Sequence, residues 1–315
     1  MFGYASAARL DRREGKAAIG VDVGGTKVAF GLLDACTLEL LAKSQIPTKR
    51  ERGGESILAA VKTEAAALAA TAAREGRHVV GLGLAMPEIV DLSGSITSSV
   101  VIPQWDRLPV GVALGAIAPV RVDADVRAAA FAEAVRGAGR GLSYYLYLIV
   151  GTGISYCAVH EGRPIAGAHG GALNIGTSIL DLRPGSSDNE QPVLERIASG
   201  SALVERYVAR GGATERAEDV LKAAQTGDRR ARDVIREGAR ALGVGVALLV
   251  NLLDPEAIIV GGGLGSADTD YWNTAERWAR RHMYSDIACA IPIHHAQLGP
   301  DGGVIGAGLV GLLRG

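Results

Sequence analysis

No disulfide framework, no long apolar run and no surplus of charge mark this chain. Its three cysteines, Cys36, Cys157 and Cys289, lie far apart. An odd and scattered set does not staple a small fold, and no CxxC or Cys/His cluster offers a metal site. All three read as small core-filling residues. The apolar run Ala241–Leu253 is too short to span a bilayer, and Gly243, Gly245 and Asn251 interrupt it. Residues 1–16 lack the apolar core of a signal peptide, so a cytoplasmic location is expected. The formal net charge is −1, and the basic residues cluster only in pairs such as Arg229-Arg230 and Arg280-Arg281. No general pull toward nucleic acid or an anionic membrane follows. No run of Pro, Gly and Ser marks a flexible linker.

What the chain has is length, apolar content and glycine. Its 315 residues are 48% apolar, enough for a sizeable core and about two domains. Glycine, at 43 residues, points to tight turns and close backbone approaches. Short apolar runs at Ala17–Val23, Val28–Leu33, Val79–Ala85, Val120–Val122, Tyr144–Val150, Ile154–His160, Ala257–Val260 and Ile291–Ala296 predict strands. Asp34 reads as the start of a turn. Helical spacing covers Ser56–Arg74, Val126–Arg136, Pro192–Arg210, Ala217–Asn251, Tyr271–Arg281 and Gly303–Leu313. Short strands alternating with long helices predict α/β domains.

Three apolar strands run into glycine turns. The first is AIGVDVGGTKVAFGLLD, residues 18–34. Gly24 and Gly25 let backbone N–H groups approach phosphate oxygens, Thr26 adds a hydroxyl and Lys27 a cation. Asp22 is spaced to hold Mg²⁺ through water. The same residues also suit an ordinary Gly-Gly hairpin with a solvated lysine. The second is LIVGTG, which breaks at Gly151, Thr152 and Gly153. The third is LLDPEAIIVGGGLG, which delivers Gly261, Gly262 and Gly263 to a loop where a nucleotide's sugar and base can pack. Three such turns together point to phosphate handling. Asp125 opens the helix after Val120–Val122, where a carboxylate serves either as a general base or as a plain helix cap.

DVGGTK, GTG and LLDPEAIIVGGG occur in the order and spacing of the ROK family, which groups repressors, open reading frames and kinases. GLGLAMPEIVDLSGSI, DVRAAAFAEAVRGAGRG, GRPIAGAHGGALNIG, LERIASGSAL and LGPDGGVIGAGL are similar too, so the resemblance covers nearly everything from Ala17 onward. It implies a bilobal actin-like ATPase fold, shared with hexokinase, acetate kinase and hsp70. It further implies ATP and Mg²⁺ with an acceptor in the cleft between lobes, and phosphoryl transfer to a sugar hydroxyl. Counting back from the stretch Ala128–Glu133 makes Asp125 the family's base, with Asp123 the rival carboxylate. A homodimer is the family's usual assembly.

The departures lie on the acceptor side. Family sugar kinases carry Asn where this chain has Ala124, Glu where it has Asn174, and a zinc- and sugar-binding His where it has Thr177. Their CxCGxxGC zinc loop is replaced by DLRPGSSDNEQPV, so no zinc site is expected. Each lost charged partner removes a hydrogen bond worth roughly 1.5–3 kcal/mol. Asn174, Thr177, His169 and Glu88 form a different polar set, although His169 reads equally as a satisfied loop histidine. The expected activity is ATP-dependent phosphorylation of an amino sugar, modified hexose or cyclitol of secondary metabolism in preference to glucose. The alternative is a catalytically inactive sugar-binding or regulatory protein. Repressors of the family place a helix-turn-helix domain before the first glycine turn, where this chain has about sixteen residues. The expected organisation is a tail at 1–16, a lobe at 17–122 and a larger lobe at 123–315, with the final helix packing back on the first lobe.

Overall fold

The structure, a computed structural model, describes residues 10–11, 13–179, 193–265 and 269–313. Two antiparallel pairings open it: β1 (Lys16–Val23), β2 (Lys27–Asp34) and β3 (Leu40–Pro47). Then come α1 (Gly53–Arg74), β4 (His78–Met86), α2 (Val110–Gly115), β5 (Val120–Ala124) and α3 (Asp125–Arg136). A second series follows: β6 (Tyr144–Val150), β7 (Ile154–His160), β8 (Arg163–Pro164), α4 (Glu195–Ala198), α5 (Gly200–Ala209), α6 (Ala217–Gln225) and α7 (Arg229–Leu253). It ends with β9 (Ala257–Gly261), α8 (Asp270–His282), α9 (Asp286–Ala290), β10 (Ile293–His295) and α10 (Gly302–Gly311).

The strands form two sheets, ordered β3-β2-β1-β4-β5 and β10-β9-β6-β7-β8. In the first, β1, β4 and β5 run parallel, in register at Asp22, Ala85 and Asp123. In the second, β6, β9 and β10 run parallel. β3 was not anticipated from the sequence. It is an edge strand whose residues alternate between half-buried and exposed, with Lys43, Gln45 and Pro47 outward, so it lacks the apolar run of its neighbours. β10 is shorter than the predicted Ile291–Ala296.

The chain divides into two compact units. The first holds residues 1–143, 157–172 and 300–315, and the second holds 144–156 and 173–299. This differs from the boundary read at 122/123. The reason is α3, which follows that point yet packs on α10 beside the first sheet.

α1 covers one face of the first sheet with Ile57, Leu58, Val61, Ala65, Leu68 and Ala72. By length and composition alone it passes for a membrane span, but this apolar stripe belongs to the core. α10 packs against β1 and β4. Here backbone meets backbone: a Cβ added at Gly20, Gly81 or Gly83 would come under 3.0 Å from α10's own main chain. Gly306 makes the same close approach to Ala128 of α3. Glycine therefore sets how deep α10 sits, and α10 in turn sets α3. Cys157 lies in the core with its thiol pushed up to about 12 by burial.

Candidate active site

In the first unit the parallel strands β1, β4 and β5 end side by side, at Val23, Met86 and Ala124. Ligands of α/β folds bind beyond such carboxyl ends. The β1–β2 turn closes with the Gly24 N–H donating to the Lys27 carbonyl (2.9 Å), which leaves Gly25-Thr26 as a two-residue tip. The Gly24 amide is thus committed within the turn, a correction to its reading as a phosphate donor. Thr48, missed in the sequence, braces the turn: its Oγ1 donates to the Gly24 carbonyl (2.6 Å) and its N–H to the Thr26 carbonyl (2.9 Å). Arg50 brings Nη1 within 3.9 Å of where a Cβ on Gly25 would stand.

Asp125 is the first residue of α3, and Ala124 takes the N-cap position. Its Oδ1 accepts from the Val126 N–H (2.6 Å). Burial first, and then the charge of Asp22, push its pKa up to about 7, with Glu88 adding and the Val126 amide and Arg127 opposing. Asp22 rises to about 6, again by burial, with Lys27 opposing. Its carboxylate lies against Gly303 at the start of α10, where a Cβ would come under 3.0 Å. Two half-buried carboxylates, both raised by burial and Asp125 raised further by Asp22, are short of positive charge, and a divalent cation suits that deficit.

The other acidic candidates have different work. Asp123, the rival base, is buried; its Oδ1 accepts from the Ala124 N–H (2.7 Å) and from Nε of Arg127 (2.6 Å). Arg127, also missed in the sequence, is 2% exposed and donates to the Gly170 carbonyl (2.7 Å) and the Val90 carbonyl (2.6 Å). The four-residue spacing from Asp123 crosses the β5–α3 junction, so it is no helix-face signal. Glu88 requires correction as an acceptor ligand. Its carboxylate accepts from Ser98 Oγ and from the amides of Val100, Val101 and Ile102 at 2.6–2.9 Å, so it pins the segment 98–102. His169 is exposed beside Gly170.

In the second unit the other two glycine turns are neighbours, because β6 pairs with β9. Gly262 has φ 84, and a Cβ on it would fall under 3.0 Å from Val150. The Leu264 N–H donates to the Val150 carbonyl (3.0 Å). The Gly151 amide donates to the Gly153 carbonyl (3.0 Å), so it too is committed within its turn. Glu195, missed in the sequence, accepts the Ile154 N–H on Oε2 (2.7 Å) and packs against Gly153 and Gly176. It thereby ties the Gly151–Gly153 turn to the 3₁₀ turn Ile175–Thr177. Asn174 and Thr177 are exposed there, with Thr177 Oγ1 donating to the Asn174 carbonyl (3.1 Å). Among the described residues no cluster of three His, Cys, Asp or Glu side chains forms a metal site. The replaced zinc loop, from 181 to 192, lies outside them.

Parallel strands ending in glycine turns on two sheets, with a carboxylate pair on the first, define an α/β protein of the actin-like ATPase class. Within that class the chain belongs to the ROK family, which it matches over residues 18–311. A glucokinase of Halalkalibacterium halodurans is 30% identical, with 92% of this chain and 93% of the relative covered. An N-acetyl-D-glucosamine kinase of Aliivibrio salmonicida is 29% identical, covering 93% and 99%. The solved ROK family glucokinase of Streptomyces griseus, in complex with glucose and AMPPNP, aligns with a TM-score of 0.77 at 29% identity, covering 94% and 99%.

Proposed function

We propose that this protein is an ATP-dependent kinase that phosphorylates a hydroxyl of a sugar-like acceptor, with Asp125 as general base. The observation that carries it is the Asp125 carboxyl at the end of β5, raised to about 7 beside Asp22. A general base works best with a pKa near the operating pH. The phosphoryl group would pass from ATP to the acceptor oxygen with ADP leaving, and Mg²⁺, when bound, would neutralise the phosphate charge. Asp22 would hold the cation through water. The amides and hydroxyls of Gly25, Thr26, Thr152 and Gly153, with the cation of Lys27, suit phosphate oxygens. Gly261–Gly263 leave bare backbone for the nucleoside. Asp125 orients the acceptor hydroxyl and takes its proton.

The acceptor is an amino sugar, modified hexose or cyclitol before glucose. Ala124 offers no side-chain hydrogen bond. Asn174 and Thr177 are neutral, and the Thr177 hydroxyl already has an internal partner. With Glu88 committed to its own loop, His169 is the remaining ionisable candidate. A lost partner costs about 1–3 kcal/mol, so two or three lower the glucose specificity constant by about two to four orders of magnitude. A coupled assay across glucose, amino hexoses and cyclitols tests this. A glucose value in the ordinary kinase range, matched by no other acceptor, refutes it.

A cytoplasmic homodimer completes the reading. Leu252, Tyr284 and Ile287 are 71%, 94% and 81% exposed. Asn251 bonds to the His282 carbonyl (3.0 Å) and the Tyr284 N–H (2.9 Å), which brings the end of α7 beside the segment after α8. Apolar side chains exposed there suit a second copy of the chain.

A further inference from the structure

α6, α7 and α8, all in the second unit, wall a cavity of about 550 Å³. Five guanidinium groups line it, from Arg232, Arg236 and Arg240 on α7 and from Arg277 and Arg281 on α8. One carboxylate, Asp270, opposes them. Spacings of four put each set on a single helix face. The chain's formal net charge is −1, so this is a local concentration and not general basicity.

Apart from Arg236, the partners of these arginines orient them without neutralising them. Among the described residues only Arg236 has a carboxylate partner, Asp233 at 2.8 Å. Arg232 donates to the Gly227 carbonyl (2.8 Å) and Arg277 to Thr274 Oγ1 (3.0 Å). Arg240 and Arg281 lie over the Trp278 ring, 4.9 and 5.9 Å from its centroid. His282 stacks on the same ring at 5.1 Å. Trp278 is therefore already occupied and is not a platform for a nucleotide base.

We infer that this cavity is a binding site for a small polyanion carrying two or more phosphate groups. Cations that converge with too few counter-charges repel one another, and a bound polyanion relieves that repulsion. Guanidinium forks pair bidentately with phosphate oxygens. The volume lies within the roughly 300–1,000 Å³ usual for small-ligand sites. A single carboxylate or sulfate carries too few charges to answer five arginines and one aspartate. The lining includes none of the glycine-turn residues, so the site is separate from the proposed nucleotide turns and does not depend on the reading of the acceptor.

Isothermal titration of the full chain with inorganic tripolyphosphate at low salt tests the assignment. The expected result is saturable 1:1 binding that weakens with added salt. The double variant Arg277→Ala/Arg281→Ala should weaken it about tenfold or more, with Arg277→Lys/Arg281→Lys in between. All five arginines are exposed, and an unchanged thermal midpoint will confirm that the variants fold. Three results overturn the inference. One is no saturation up to about 10 mM probe. Another is unchanged affinity in the alanine variant, together with complete displacement by a non-hydrolysable ATP analogue, which would place the anion on the glycine turns. The third is a single-stranded oligonucleotide that binds the same arginines more tightly than tripolyphosphate, which would make the groove a nucleic-acid surface.

Discussion

Asp125 carries the sharpest residue-scale consequences. Asp125→Asn keeps the shape but cannot accept the proton, so kcat should fall about 10²–10⁴-fold while nucleotide affinity survives. In the wild type, kcat/KM should rise with pH through about 7, as the free enzyme's base ionises. Stability should move the other way. The folded state keeps the Asp125 proton up to about 7, whereas an unfolded Asp loses it near ~3.9. Between those values the folded chain binds more protons, so stability falls as pH rises. Asn escapes that penalty, and Asp125→Asn should melt higher than wild type at pH 8, with the gap closing toward pH 4. Thermal melts at the two pH values decide it, and a variant equal to or below wild type at pH 8 would contradict the buried-carboxylate account. At this scale the sequence exposed what is local. Asp125 and the glycine turns are contiguous motifs, whereas Thr48, Arg127 and Glu195 act across 24, 43 and 41 positions of chain. No local pattern announces such partners. Glu88 misled for the same reason, because its ligands are amides 12–14 residues downstream.

At the scale of elements, α10 decides most. Gly83→Ala places a methyl under 3.0 Å from the α10 backbone, and neither side is a flexible side chain. Overpacking of this kind costs about 1–3 kcal/mol or more, so the variant should lose that much stability in urea. Activity should fall as well, because α10 also abuts Asp22 through Gly303 and α3 through Gly306. Near-wild-type stability and turnover would show that the sheet and helix can part without consequence. Elements buried on both faces were legible: β1, β2, β4, β6, β7 and β9 fall within two residues of their expected bounds. β3, half-buried at a sheet edge, was not. Nor was the depth of α10, since a run of Gly and Ala spells a close approach only once its partner is known.

For the molecule as a whole, Leu252, Tyr284 and Ile287 are exposed apolar side chains, and charge there would spoil the proposed dimer contact. Ile287→Asp should convert a dimer to a monomer in light scattering while leaving the thermal midpoint of the fold almost unchanged. A wild-type chain that is already monomeric at assay concentrations would remove the dimer from the account. The segmented make-up of the first unit has a further consequence, one of timing during synthesis. β1 ends at Val23, and the helix that covers it begins at Gly302, about 280 residues later. At roughly 5–20 residues per second, a ribosome needs about 15–55 s to cross that interval. Throughout it the glycine-lined face of β1 and β4 has no helix on it, and the Asp22 carboxylate lacks its neighbour at Gly303. The β1–β2 turn made first is therefore among the last features to mature, and a nascent chain stalled before α10 presents a bare sheet face to chaperones and to other chains.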